Sequence, residues 1–102
     1  MAHLQDERIP QCLNAIQKYE KWGNLLAGQN WVHLFNSNAP VSASAIHNGL
    51  ECIKAKMKLS VLQDNRHSEE EKEKRLKQID LETHQMEEIM KHDLEYRGLL
   101  TP

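Results

Sequence analysis

The chain is poor in residues that interrupt helices. Its 102 residues include three prolines and four glycines, and from Ser68 to Arg97 there is neither. Aromatic residues make up 5% and β-branched residues are few, so little favours strands. Cys12 and Cys52 are the only cysteines, too few for a disulfide framework. They read as free thiols in a reducing compartment. No stretch approaches the ~18 consecutive apolar residues of a bilayer span. The opening MAHLQDERIPQCL has no basic start followed by an apolar run, so it does not read as a secretory signal. The expected location is the cytoplasm.

A strong charge of either sign is also missing. The formal net charge is −2, which argues against tight, non-specific nucleic-acid binding. The charge is unevenly placed. Residues 1–67 hold seven Lys/Arg against five Asp/Glu, whereas residues 68–102 hold six against ten. A hydrophobic share of 39% beside 27% charged residues suits one globular helical domain spanning 1–102.

Apolar periodicity predicts helices over about 7–27, 42–64 and 69–97, with an apolar connector over 29–41. In the first, Ile9, Leu13, Ile16, Tyr19 and Leu26 recur at steps of three, four or seven. Asp6 is positioned to cap it, Pro10 falls in its first turn, and Gly28 suits its end. The second carries a stripe of Ile46, Leu50, Ile53, Met57 and Val61, with a ridge of small residues, Ala45, Gly49 and Cys52, beside it. That ridge would let another helix approach closely. Asn38 or Ser42 is its expected cap. The third begins with the capping-box spacing Ser68 to Glu71 and ends at Gly98. Its seam reads Leu76, Ile79, Thr83, Met86 and Met90, steps of three and four.

A short turn near residue 66 predicts that the second and third helices fold back on each other. Ile79 is then expected opposite Ile53, Thr83 opposite Gly49 and Met86 opposite Ile46. The end of the third helix would cover the apolar connector segment WVHLF, bringing Phe35 near Arg97. The predicted class is all-α: a small antiparallel helical bundle with a long C-terminal helix.

The sequence offers few candidates for chemistry. His84, Glu88 and His92 are spaced i, i+4, i+8, with Asp80 one turn earlier and His47 a donor on the second helix. One straight helix cannot enclose a metal, and neither a repeated Glu-x-x-His nor a Cys-x-x-Cys is present. These side chains therefore read as a solvated face, and no metal or cofactor is expected. Neither cysteine has a histidine within one helical turn, as an activated nucleophile would need. No phosphate-binding glycine loop, dinucleotide fingerprint or Gly-x-Ser-x-Gly occurs. The chain is not expected to be an enzyme.

The favoured function is a small protein–protein interaction module, such as an adaptor, inhibitor or chaperone-like regulatory protein, acting through helix–helix packing. Candidate contacts are Trp31, Phe35, Leu81, Met86, Ile89 and Met90, and the partner is another protein or a second copy of the chain. The alternative is a nucleic-acid-associated regulator that contacts phosphates through Lys54, Lys58 and Arg66. No membrane partner is expected.

Overall fold

A computed structural model describes residues 7–28 and 40–101. These residues form three helices, α1 (Arg8–Gly28), α2 (Ala43–Leu62) and α3 (Glu69–Tyr96), and two short strands, β1 (Val41–Ser42) and β2 (Leu100–Thr101). The all-α class holds, apart from this one small strand pair. No helix among the described residues is long and apolar enough to cross a membrane.

The helix ends follow from local chemistry. Asp6 and Asn38 lie outside the described residues. Pro10 sits in the first turn of α1, where a missing N–H costs little. Ser42 caps α2 by accepting the Ser44 N–H at 3.2 Å. Ser68 caps α3 by accepting the Glu71 N–H at 3.2 Å. At the other end, Gly98 adopts φ +72°. Its N–H reaches the Glu95 carbonyl at 3.0 Å, and the Leu99 N–H reaches that of Leu94 at 2.8 Å. These two bonds satisfy carbonyls the helix leaves open. The turn sends Leu99 back toward α2, where its carbonyl accepts the Val41 N–H at 2.8 Å. The parallel pair Val41↔Leu100 and Ser42↔Thr101 follows. This strand pair was not expected; it arises from the reversal at Gly98, not from β propensity.

α2 is the central element. α1 and α2 are the most extensively apposed helices. Of the expected ridge, Gly49 and Cys52 are buried and Ala45 is half-buried, and the Cys52 thiol donates to the Ile16 carbonyl at 3.9 Å. Cys52 is 0% exposed. The α1 face is rotated from the expected one. Cys12 is buried, with Ile9, Ala15 and Ile16 packed beside it, whereas Leu13 is exposed.

The core is in two parts. The first cluster holds Cys12, Ala55, Val61, Leu62, Leu76 and Ile79. The second holds Ile46, Leu50, Met90 and Leu94, backed by Val41, Leu99 and Leu100. Links between α2 and α3 descend one helix as they ascend the other: Lys72 to Leu62, Lys58 to Asp80, and His47 to Glu87. The expected alignment needs correction in detail. Met90, not Met86, joins Ile46, and Ile53 belongs to neither cluster. The line on α3 that faces inward is Lys72, Leu76, Ile79, Thr83, Glu87, Met90 and Leu94. Its mean step of about 3.67 residues is longer than the 3.5 of the expected heptad seam. Met86 consequently falls outside the line. The proposed cover of WVHLF by the end of α3, including Phe35 near Arg97, lies outside the described residues.

Candidate functional site

Two regions stand out: a polar belt inside the α2–α3 seam, and the outward face of α3. The belt separates the two apolar clusters. Glu87 stands in the inward line, next to the expected seam residue Met86, and its side chain is only 14% exposed. Its carboxylate takes a hydrogen bond from Lys91 Nζ at 2.7 Å and meets His47 Nδ1 at 2.9 Å. Burial pushes the Glu87 carboxyl up, but the bonds from Lys91 and His47 outweigh it and hold it below the usual carboxylate range. Glu51 continues the chain of charges, accepting from Lys54 at 2.8 Å with His47 Nε2 at 3.9 Å. Thr83 returns its hydroxyl to the Ile79 and Asp80 carbonyls of its own helix. A small cavity of about 100 Å³ lies among His47, Glu51, Asp80, Thr83, His84 and Glu87.

Links across this belt join α2 to α3 through the His47–Glu87 pair. Cys12 belongs to the first apolar cluster and Cys52 faces Ile16. His84, Glu88 and His92 are exposed on α3, and His47 engages Glu87 and Glu51 instead of converging with them. Among the described residues, no group of three or more His, Cys, Asp or Glu is placed to hold a metal ion.

The three residues nominated for phosphate contact are each engaged by a carboxylate. Lys54 holds Glu51, Lys58 holds Asp80 at 2.6 Å, and Arg66 holds Asp64 at 3.1 Å. The Arg66 side-chain and backbone hydrogen bonds keep Asp64 at a pKa of about 2, so that pair stays ionised at neutral pH.

The interaction candidates separate. Trp31 and Phe35 lie outside the described residues. Met90 is 2% exposed and belongs to the core. Leu81, Met86 and Ile89 are exposed, Leu81 at 50% and Ile89 at 65%. Tyr96, which the sequence reading passed over, is 87% exposed. Its signal was available: it follows Ile89 by seven residues, two turns along the same face. At about 100° per residue, Leu81, Gln85, Ile89, His92 and Tyr96 fall within one strip of about 80°, opposite the buried line. Glu88, Ile89, His92, Asp93 and Tyr96 surround a shallow concavity there.

The chain matches no protein-family model, no curated protein and no solved structure.

Proposed function

We propose that the chain is a small, non-enzymatic protein–protein interaction module: a small antiparallel helical bundle whose long C-terminal helix offers its outer face to a partner helix. The observation that carries this reading is the strip of Leu81, Ile89 and Tyr96, three large apolar or amphipathic side chains at least half exposed on a well-formed helix. Singly exposed apolar residues are ordinary, but a strip aligned along one helix face suits helix-on-helix docking. Aromatic anchors such as Tyr96 contribute large contact area at low entropic cost. The exposed charges around the strip would set orientation and partner choice. Two buried cysteines, Cys12 and Cys52, support action in a reducing compartment such as the cytoplasm.

The nucleic-acid reading is less well supported. Phosphate binding by Lys54, Lys58 or Arg66 would have to displace Glu51, Asp80 or Asp64.

The test compares the wild-type chain with Leu81→Asp and Ile89→Asp as immobilised baits in extract of the native host. Proteins held by the wild type and released by both variants are the expected result. Identical capture by all three baits would reject the outer face of α3 as the docking surface. Binding to short duplexes that weakens steeply with salt would instead favour the alternative.

A further inference from the structure

Resting on that reading, we infer that the helix docked on the outer face of α3 is α3 of a second copy, packed antiparallel about a two-fold axis beside Gln85. The argument is one of charge and pattern. Arg8, Lys54, Lys58, Lys72, Lys91 and Arg97 all have carboxylate partners within the chain. On α3, Lys74, Arg75, Lys77, Glu70, Glu82, Glu88 and Glu95 are exposed and have no ion-pair partner among the described residues. Their net sign changes along the helix. The N-terminal half holds Lys74, Arg75 and Lys77 against Glu70 and Glu82, net +1, and the C-terminal half holds Glu88 and Glu95, net −2. A second α3 laid parallel would set halves of like net sign together. Laid antiparallel, it sets halves of opposite net sign against each other and opposes the two helix dipoles.

The side-chain pattern fits the same axis. With Gln85 at the centre, Leu81 of one copy faces Ile89 of the other, and the reverse, as an isologous contact requires. Lys74 faces Tyr96, where an ammonium can sit over the aromatic ring. In an antiparallel pair, like edges of the strip meet. Lys77, His84, Glu88 and Glu95 share one edge, so Lys77 comes within two residues of Glu95, an axial offset of about 3 Å. His84 meets Glu88 on the same terms. Glu70 would face past the end of the partner helix, where it opposes nothing. The overlap from Lys74 to Tyr96 is about 33 Å long. A single helix–helix contact of this length lies at the small end of specific interfaces. Association is therefore reversible, with a Kd on the order of micromolar.

Sedimentation equilibrium of the whole chain, from about 1 µM to about 1 mM, tests this. The expected result is a concentration-dependent rise from monomer to dimer mass. Raising salt to about 1 M, where the screening length is about 3 Å, should weaken association several-fold. Leu81→Asp and Ile89→Asp should each weaken it at least tenfold. Both positions are exposed, so helicity by circular dichroism should be unchanged. The decisive arm is a charge swap. K77E and E95K should each weaken self-association, and an equimolar mixture of the two should dimerise at least as well as wild type. Only an antiparallel contact pairs those positions between copies. A chain that stays monomeric throughout overturns the inference, as does a dimer unaffected by the swap or a mixture that fails to recover. None of these outcomes touches the broader interaction reading, which fails separately if Leu81→Asp and Ile89→Asp leave capture from extract unchanged.

Discussion

Individual residues carry more of this fold than their chemistry first suggests. Cys52 acts as a spacer, not a reagent. It is fully buried and its thiol touches the α1 backbone at Ile16. Cys52→Leu should therefore push α1 outward and lower stability by about 1–3 kcal/mol in urea denaturation, with Cys52→Ala the milder change. Gly98 is needed for its backbone alone. A Cβ there would meet nothing within 4 Å, yet its φ is +72°. Gly98→Ala should cost about 1 kcal/mol, visible as a fall in Tm of about 4–8 °C. Gly98→Asn should cost less, because asparagine tolerates this conformation better.

At the scale of the element, α2 and α3 are held in alignment by polar side chains as much as by apolar ones. Lys72 is almost wholly buried and donates to the Leu62 carbonyl at 3.3 Å, closing the open C-terminal end of α2. Lys72→Met should leave that carbonyl unpaired and cost about 1–2 kcal/mol by thermal or urea unfolding. Glu87 confers an acid dependence of known sign. Its carboxyl lies below the ordinary value of 4.5 in the folded chain. A lowered folded-state value means that the ionised form stabilises the fold above 4.5, and that this contribution is lost as pH falls through the folded-state value. Unfolding free energies measured at about pH 7 and about pH 3 should differ less in Glu87→Gln than in wild type. Asp64 and Glu71, also held low by hydrogen bonds, remain in both proteins and leave that comparison intact.

At the scale of the molecule, the fold is a central helix with a neighbour on each of two sides. The described residues are elongated, 54 × 23 × 21 Å, so the core is thin and split by the polar belt. Stability should follow that arrangement. Amides of α2 between Leu50 and Ala55, shielded by both α1 and α3, should exchange with solvent slowest, near the rate of global unfolding. Those in the first turn of α1 should exchange at least a hundredfold faster, as a helix end freed by local fraying does. A uniform exchange profile across the three helices would contradict a central α2.

The linear sequence determined the helical class, the cap at Ser68, the stop at Gly98 and Ser42 as one of two candidate caps of α2. All of these depend on groups within a few residues of one another along the chain. The exposed strip of Leu81, Ile89 and Tyr96 along α3 is legible there too, since a helix turns sequence spacing directly into position on a face. Only the tertiary structure decided which face of α1 turned inward, that Glu87 and not Met86 occupies the seam, and that Val41 pairs with Leu100. Those outcomes depend on the repeat with which α3 meets α2, about 3.67 residues in place of 3.5, and on how two neighbours share α2.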